Sequence, residues 1–299
     1  MQLTIAVITM NRADQLKEAL ESCLACALPK ETEFVIIDNA STDNTEQTVA
    51  ALLKNCSYFY YYEKLQTNLG VGGGRNYAFS KATGQYVYVL DDDAVIDIEK
   101  NPDFFKKAIA ILDANPRIAT LTTQIYDFAW QANRLTTQRK PIAQGIYSCK
   151  MFCGGSHFLR KTFFKNAPYL PNKYGFEEIL PSLKVVDAGN LNAFVPSLLV
   201  IHKPKINKWE KSNKENLALF INECAVPYAI KKMMYPRLCL PILWLAYRVR
   251  IRKHLRHYSG AAKKCHQVAK ETTHNYKINY RIRWKTLLQL QKDFGFSIF

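Results

Sequence analysis

Three consecutive carboxylates, Asp91, Asp92 and Asp93, directly follow an apolar run from Tyr86 to Leu90. The run is rich in aromatic and β-branched residues, which predicts a buried strand. Adjacent anions at the end of such a strand repel one another unless a cation or hydrogen-bond donors compensate them. Because side chains alternate along an extended chain, Asp91 and Asp93 point to the same side and could share one divalent ion or its ligand. A solvated acidic turn is the alternative interpretation.

Strands and helices alternate on the N-terminal side of this cluster. The order predicts right-handed βαβ crossovers and an α/β fold with a mostly parallel sheet covered by helices. The predicted elements are strands at Thr4–Thr9, Phe34–Ile37 and Ser57–Tyr62, a first helix capped by Asn11, a second at Thr45–Lys54, and a third that ends near Ala82.

Ligands of such sheets bind outside the carboxyl ends of the strands. Thr9 and Asp38 lie at these ends, as the three aspartates do, so we expect them to converge on one crevice. The segment NLGVGGGRN, Asn68 to Asn76, leads to the same crevice. Its glycines would let the backbone approach a ligand at a helix N-terminus, and Arg75 could clamp a phosphate. A plain flexible turn is the alternative for this segment.

Two segments in the second half of the chain also contain residues that could take part in catalysis or bind a ligand. Glu177 and Glu178 stand at the start of a predicted helix, where acids also simply complement the helix dipole. The apolar strand Leu198–His202 ends in a histidine, a residue that is often structural in such a place. His157 lies in a segment of small residues, and it could contact a substrate or have a structural role in the core.

The whole formal charge excess sits in the last third of the chain. Residues 1–200 hold 20 basic and 20 acidic side chains, and residues 201–299 hold 21 and 5, which accounts for the net charge of +16. The eight cysteines form no repeating framework and no signal-peptide pattern opens the sequence, so we expect a reducing cytoplasm. Cys23 and Cys26 are expected to pack in the core, and the apolar run Leu238–Tyr247 is too short to span a bilayer.

Four motifs taken together resemble a known family. TIAVITMNR, FVIIDNASTDNT, NLGVGGGRN and YVLDDDAV occur in the order and near the spacings of the nucleotide-sugar-binding half of family 2 glycosyltransferases with a GT-A fold. The resemblance covers residues 2–98 and, through weaker motifs, residues 99–205. It implies a GT-A domain at 1–209, made of a nucleotide-sugar-binding half (1–98) and an acceptor half (99–209), followed by a helical basic C-terminal region at 210–299.

The resemblance also implies roles for individual residues. Thr9, Asn11 and Asp38 would hold the base and ribose, and Asn68 and Arg75 would line the diphosphate. Asp93 would ligate Mn²⁺ or Mg²⁺ while Asp91 approaches the sugar nucleotide. The full set implied to contact the donor is Thr9, Asn11, Arg12, Asp38, Asn68, Gly72, Arg75, Asp91 and Asp92.

His202 and the glutamate pair complete this implied site. A histidine placed like His202 can complete the metal site in the resembling enzymes, and imidazole suits Mn²⁺ better than Mg²⁺. Glu178 corresponds to the family's catalytic base, with Glu177 as the alternative. The chain departs from the family motif in two ways, because Glu178 replaces the usual aspartate and Pro181 interrupts the first turns of the helix.

The implied activity is metal-dependent, inverting transfer from a nucleoside-diphosphate sugar, with a lean to UDP-sugars, to a glycan or lipid-linked acceptor. Two other hypotheses stay open: a nucleotidyltransferase on the same fold, and a catalytically silent binding module.

The basic C-terminal region predicts helices that attach peripherally to an anionic membrane surface at the inner face of the cell membrane. Apolar residues in Leu217–Tyr228 and Leu238–Val249 are interleaved with arginines and lysines, as in amphipathic interfacial helices. No nucleic-acid recognition motif accompanies them, so we expect no nucleic-acid partner. A solvated basic face, or an acidic or peptide acceptor, is the alternative explanation.

Overall fold

The computed structural model describes residues 1–134, 139–173, 175–204 and 216–299. The chain divides into two compact units, Met1–Lys205 and Ile206–Phe299. The predicted boundary between residues 209 and 210 lies outside the described residues, as does Tyr174, which precedes the glutamate pair.

One eleven-stranded sheet forms the centre of the first unit, in the order β3-β2-β1-β4-β10-β6-β11-β9-β8, with β5 paired to β11 and β7 to β6. The strands are β1 (Leu3–Thr9), β2 (Thr32–Asp38), β3 (Phe59–Lys64), β4 (Tyr86–Asp91), β5 (Ala94–Ile96), β6 (Ile118–Asp127), β7 (Ala132–Asn133), β8 (Arg139–Ala143), β9 (Ile146–Cys149), β10 (Ser156–Arg160) and β11 (Leu191–His202).

The direction of the strands decides which strand ends meet. β1 is parallel to β2 and β4, and β2 is parallel to β3, as the alternating sequence predicted. β10 is antiparallel to both β4 and β6, and β6 is parallel to β11. The carboxyl ends of β1, β2, β4, β6 and β11 therefore lie along one edge of the sheet, and the predicted α/β class is confirmed.

Helices cover both faces of this sheet and bury two apolar layers. In the first, α1 packs with Leu16, Leu20 and Cys23 against strand residues, as the helical spacing predicted. Cys23 and Cys26 are buried free thiols, in agreement with a packing role. The helices of this unit are α1 (Ala13–Leu24), α2 (Thr45–Leu53), α3 (Gly70–Lys81), α4 (Phe104–Ala114) and α5 (Ile179–Asp187).

Two element boundaries differ from the predictions. The N-cap of α1 is Arg12, not Asn11, because Asn11 has a positive φ of 54° and its side chain accepts a hydrogen bond from Thr42 instead. The glycine-rich segment is helical from Gly70 onward and is not an open loop.

The second unit is helical over residues 216–299, as predicted; residues 210–215 lie outside the described residues. Its core joins Cys224 of α6, Tyr247 and Ile251 of α7 and Cys265 of α8. In the described part of the chain, no helix is both long and apolar enough to cross a bilayer. The helices are α6 (Asn216–Met234), α7 (Leu240–Leu255), α8 (Ala261–Asn275) and α9 (Trp284–Phe294), with 3-10 segments at Arg237–Cys239 and Gly295–Ile298.

Candidate active site

The end of β4 presents its three carboxylates to different partners. Asp92 turns toward β1 and accepts hydrogen bonds from Thr9 Oγ1 and Arg12 Nη1, each at 2.8 Å. The same Arg12 nitrogen donates to Asp93 Oδ2 at 2.9 Å. The sequence did not reveal this role for Arg12, which compensates two of the three crowded anions.

Asp91, Asp93 and His202 form the one group of potential metal ligands found in the described chain. Each offers one ligand atom, and these atoms lie within 4.8 Å of one another. The strand ends meet because β5 pairs with β11 and the Lys203 N–H donates to the Asp93 carbonyl at 2.7 Å. Two carboxylate oxygens with one imidazole nitrogen are a donor set that suits Mn²⁺ or Mg²⁺. Asp91 thus joins the two ligands expected from sequence.

Asp127, at the end of β6, orients the His202 ring. Its Oδ2 lies 3.0 Å from His202 Nδ1, and the other ring nitrogen, Nε2, lies 3.2 Å from Asp93 Oδ1. Arg134 donates to the same Asp127 oxygen at 2.8 Å and also lies 2.9 Å from His202 Nδ1. A carboxylate behind a ligating histidine fixes which nitrogen faces the metal. The sequence did not reveal these roles of Asp127 and Arg134, since Asp127 stands out only as an acid directly after a segment rich in β-branched residues, Ile118–Tyr126.

Burial and charge move the pKa values of two of these acids in opposite directions. Burial raises the pKa of Asp92 to about 6, against the charge of Arg12, and the charge of Asp93 adds to the rise. Burial acts in the same direction on Asp93, but the hydrogen bond and charge of His202, together with Arg12, hold the pKa of Asp93 below its usual range. Of these two acids, Asp93 is therefore the one that is favoured to remain ionised and available to a cation.

Arg75, which was expected to line the diphosphate, is paired with acidic side chains of the protein itself. Its guanidinium is buried and donates to Asp91 Oδ1 at 2.6 Å and to Glu177 Oε1. The ring of Tyr169 lies 5.8 Å from the guanidinium carbon. A buried cation needs such compensation, so Arg75 is a structural link between β4 and the segment before α5.

Two glycines at the start of α3, Gly70 and Gly72, pack against the backbone of the segment around residues 170–173. A Cβ at Gly72 would lie 1.9 Å from the Leu170 carbonyl oxygen, so Gly72 is closed to a ligand on this side. Gly70 donates its N–H to the Asn68 side chain, and Gly72 donates to the Asn172 carbonyl. These two backbone donors, which were expected to face an anion, are therefore engaged within the protein.

A second pair of glycines, noticed in sequence only as a small-residue segment, makes room for the buried network. A Cβ at Gly154 would lie 2.9 Å from Arg75 Nη1, and one at Gly155 would lie 3.0 Å from Asp91 Oδ2. Any larger residue at either position would therefore push against the charged groups beside the potential metal ligands.

The two glutamates before α5 have different surroundings. Glu177 is buried and paired with Arg75, and its Oε2 has no hydrogen-bond partner among the described residues. Glu178, the residue at the N-cap of α5, is half-buried, and burial followed by the charge of Glu177 raises its pKa to about 8. Glu178 is thus the member of the pair that is both partly accessible and poised to exchange a proton near neutral pH.

The residues expected to contact the nucleotide differ in accessibility. Asn11, expected at the base and ribose, and Asn68, expected at the diphosphate, are both exposed. Asp38 is buried, and its two oxygens accept hydrogen bonds from the Ser41 N–H at 2.7 Å and the Tyr62 hydroxyl at 2.8 Å. The carboxylate of Asp38 therefore stabilises the loop that follows β2.

His157 occupies a structural position. It is fully buried, with Nε2 2.6 Å from the Tyr169 hydroxyl, and burial with the charge of Arg75 lowers its pKa to about 3. A neutral, enclosed imidazole of this kind has a structural role in the core.

Comparison with known proteins gives partial sequence matches. A poly-β-1,6-N-acetyl-D-glucosamine synthase of Staphylococcus epidermidis is 30% identical over 118 residues, which covers 36% of this chain and 27% of that protein. A GalNAc(5)-diNAcBac-PP-undecaprenol β-1,3-glucosyltransferase of Campylobacter jejuni is 30% identical over 92 residues, 31% of this chain and 29% of that protein. The chain thus spans under a third of the length of either relative.

Two solved structures share the fold at low identity. Staphylococcus aureus TarS, in complex with UDP-GlcNAc, matches with a TM-score of 0.64 at 17% identity, over 100% of this chain and 89% of that chain. The Pyrobaculum calidifontis mannosyltransferase PcManGT, in complex with GDP-Man and Mn²⁺, matches with a TM-score of 0.60 at 16% identity, over 100% and 81%. Both are GT-A glycosyltransferases, so the GT-A fold expected from the motifs is confirmed.

The family described as Glycosyl transferase family 2 matches residues 4–170, more than half of the 299 residues. This stretch includes all four motifs and the strands that carry Thr9, Asp38 and Asp91. The chain belongs to glycosyl transferase family 2.

Proposed function

We propose that this chain is a metal-dependent, inverting glycosyltransferase that moves a sugar from a nucleoside-diphosphate sugar, with UDP-sugars preferred, to an acceptor hydroxyl. The observation that carries the proposal is the convergence of Asp91, Asp93 and His202 within 4.8 Å at the carboxyl ends of β4 and β11. Glycan assembly at the cell envelope is the setting that fits best, because the similar proteins include a polysaccharide synthase and an undecaprenol-linked glucosyltransferase.

Asp91, Asp93 and His202 would hold the cation. When bound there, a divalent ion neutralises the diphosphate that departs from the sugar. Asp127 keeps Nε2 of His202 directed at Asp93, and Arg12 limits the repulsion between Asp92 and Asp93. The protein thus presents a preorganised, charge-balanced site at which an anionic leaving group is stabilised.

Glu178 would remove the proton from the acceptor hydroxyl as that oxygen attacks the anomeric carbon. Its raised pKa of about 8 makes it a stronger base than an ordinary carboxylate once it is ionised. Glu177 would support this role indirectly, since its charge raises the pKa of Glu178 while its own carboxylate stays paired with Arg75.

The donor's base and ribose would lie over the ends of β1 and β2. Asn11 offers an exposed side chain there, and Asp38 fixes the adjoining loop through Ser41. Arg12, about a third exposed, is the cation of this region that would approach the diphosphate in place of Arg75.

The experiment that tests the proposal identifies the leaving group. Wild-type protein is incubated with a mixture of acceptor oligosaccharides and either UDP- and GDP-sugars or nucleoside triphosphates and sugar phosphates, with and without Mn²⁺. Metal-dependent release of a nucleoside diphosphate supports the transferase. Pyrophosphate release would favour a nucleotidyltransferase, and no turnover with any donor would favour a silent module.

We also propose that the second unit attaches this enzyme to an anionic membrane surface through one face of α7. Four apolar side chains on and just before α7 are between 48% and 79% exposed. At about 100° per residue they fall on one stripe, opposite the buried residues Leu243, Tyr247 and Ile251. They are Leu238, Ile242, Leu245 and Val249.

The charge of α7 matches such a surface. Residues 237–256 contain no acidic side chain, and the stripe continues into Arg252 and Arg256. Arg248 lies over the exposed Trp244 ring, 5.3 Å from its centre. An apolar stripe beside cationic side chains is the pattern of a helix that lies in the headgroup region of anionic lipid.

Of the two apolar segments that were expected to bind a membrane, only the one in α7 keeps that proposed role. The apolar residues of Leu217–Tyr228 lie in α6, where Ile221, Cys224 and Ala225 are buried against α7 and α8. They are part of the unit's own core, so the interfacial role falls to α7. A lipid-linked saccharide at that surface would be a suitable acceptor.

A further inference from the structure

The turn after β6 carries two exposed aromatic side chains. Phe128 is 58% exposed and Trp130 is 44% exposed. Turns ordinarily use glycine, proline, asparagine, aspartate and serine, and large apolar side chains stabilise a fold only when they are buried. Folding gains little from either ring at its present position, so their place beside the active site calls for another explanation.

Hydrogen bonds connect this turn to His202, the proposed metal ligand. Asp127 accepts hydrogen bonds from the backbone N–H groups of Ala129 at 3.0 Å and Trp130 at 3.3 Å through its Oδ1. The Phe128 N–H donates to the His202 carbonyl at 2.9 Å. The aromatic turn and the His202 ring therefore share one support, since the other oxygen of Asp127 faces His202.

The Trp130 ring is held by a cation on one side. The Arg134 guanidinium carbon lies 5.5 Å from the ring centre, and its Nη2 donates to Asp127 at 2.8 Å. Gln131 closes the turn with a positive φ of 50°, and its side chain donates to the Phe128 carbonyl at 2.8 Å. An aromatic surface fixed in advance in this way binds a ligand without a large ordering cost.

The sheet order decides which substrate such a surface would meet. β4 lies between β1 and β10, and β6 and β11 follow beyond β10. Thr9 and Asp38 therefore lie on one side of Asp91–Asp93, and the aromatic turn lies on the other. If the nucleotide covers β1 and β2, the turn faces the side from which an acceptor must reach the sugar.

We propose that Trp130, together with Phe128, is a stacking platform for a pyranose ring of the acceptor glycan. The apolar C–H face of a sugar matches an indole face, and the hydroxyl groups around its rim remain free for water and neighbouring polar groups. This inference rests on the proposed glycosyl transfer. It adds the class of acceptor, a saccharide with a ring that stacks on an aromatic side chain, and it names the two residues that would select this acceptor.

The test separates acceptor binding from donor binding. Wild type, Trp130→Ala, Trp130→Phe and Phe59→Ala are loaded with UDP and Mn²⁺ and applied to a printed array of gluco-, galacto-, manno- and N-acetylhexosamine oligosaccharides. Phe59 is the control, because it is an exposed aromatic side chain (60%) on β3 at the far edge of the sheet. Binding of UDP-sugar with Mn²⁺ is measured on the same samples.

We expect wild type and Phe59→Ala to bind the same glycans, Trp130→Ala to bind them at least about tenfold more weakly, and Trp130→Phe to recover most of the loss. Donor and Mn²⁺ binding should be equal in all four proteins. Failure of wild type to bind any donor would contradict the proposed function itself. With donor binding intact, equal glycan binding by Trp130→Ala, or no glycan bound by wild type, overturns the platform. Loss of Mn²⁺ binding in Trp130→Ala also overturns it, since the ring would then act by positioning His202.

Discussion

Oδ2 of Asp127 lies 3.0 Å from Nδ1 of His202 and directs the other ring nitrogen toward Asp93. Arg134 donates to the same Asp127 oxygen through Nη2, which also lies 2.9 Å from His202 Nδ1. The carboxylate at the end of β6 therefore fixes the orientation of the imidazole at the end of β11.

Asp127→Asn should weaken Mn²⁺ affinity about 10- to 100-fold, because a neutral amide holds the imidazole less firmly than the carboxylate does. Free Mn²⁺ measured by electron paramagnetic resonance during a titration gives this affinity directly. Asp97→Asn, which removes a carboxylate paired with Lys100, is the control and should bind Mn²⁺ as wild type does. Equal affinities in all three proteins would mean that Asp127 does not position His202.

Asp93→Ala should abolish Mn²⁺-dependent donor binding and sugar transfer while the fold stays intact. Both partners of Asp93 keep another acceptor, because Arg12 still pairs with Asp92 and His202 still pairs with Asp127. Removal of one of three crowded carboxylates also relieves repulsion. Calorimetric melting and diphosphate release are the measurements. Near-normal turnover by this variant would show that the metal site lies elsewhere.

Glu178→Gln should keep donor affinity and lose transfer by a factor on the order of 10² to 10⁴. The pKa of Glu178 is raised to about 8, and only the ionised form accepts a proton. The rate with saturating donor should therefore rise with pH, by about tenfold per unit below pH 8, and level off above it. The residual rate of Glu178→Gln should lack this rise.

Glu177→Gln distinguishes the two acids. It weakens the pairing of the buried Arg75 and lowers the charge beside Glu178, so we expect lower thermal stability and a pH profile shifted to lower pH. A variant that keeps its stability but loses the pH-dependent rate would move the base from Glu178 to Glu177.

Asp38→Ala should weaken nucleotide binding and also lower the free energy of unfolding by about 1–3 kcal/mol, since the Tyr62 hydroxyl and the Ser41 N–H lose their acceptor. Tyr62→Phe removes one of the same hydrogen bonds and leaves the carboxylate in place. Donor dissociation constants and urea unfolding are compared for both variants. If Asp38→Ala binds the donor like wild type, Asp38 serves only the loop.

The sequence predicted the parts of the site that follow directly from strand ends. Apolar runs that stop at Thr9, Asp38 and Asp91 become β1, β2 and β4, and parallel pairing brings their ends together without further information. The strand that ends in His202 was also recognised, from the apolar run that begins at Leu198, although β11 begins earlier, at Leu191.

The contacts that the sequence did not predict depend on residues far apart in the chain. Arg75 seemed free because its partner Glu177 is 102 positions away. The glycines of α3 resembled an anion loop, although Gly70 and Gly72 are limited in size by the backbone of residues 170–173. Periodicity cannot show such close approaches, since it reports burial and not the identity of the neighbour.

The last prediction concerns the exposed apolar stripe of α7 and its proposed attachment to a membrane. The protein should co-sediment with phosphatidylglycerol vesicles at low salt and progressively less as salt screens the charges. Replacement of four cations by glutamine should weaken binding by about 10³-fold if each contributes about 1 kcal/mol near the surface. Replacement of three exposed apolar residues by glutamine should weaken binding without affecting the fold. The charge variant carries Arg248→Gln, Arg250→Gln, Arg252→Gln and Lys253→Gln, and the apolar variant carries Ile242→Gln, Leu245→Gln and Val249→Gln.

A matched control comes from the same helical unit. Leu288→Gln with Phe296→Gln removes apolar side chains that are equally exposed but lie on and after α9. Because these positions are outside the α7 stripe, the control should sediment with wild-type efficiency, and its melting temperature should match those of the α7 variants. Recovery that is equal with phosphatidylcholine vesicles, or absent with phosphatidylglycerol, would contradict attachment. A loss in the control as large as in the apolar variant would show that hydrophobicity in general, and not this face of α7, governs binding.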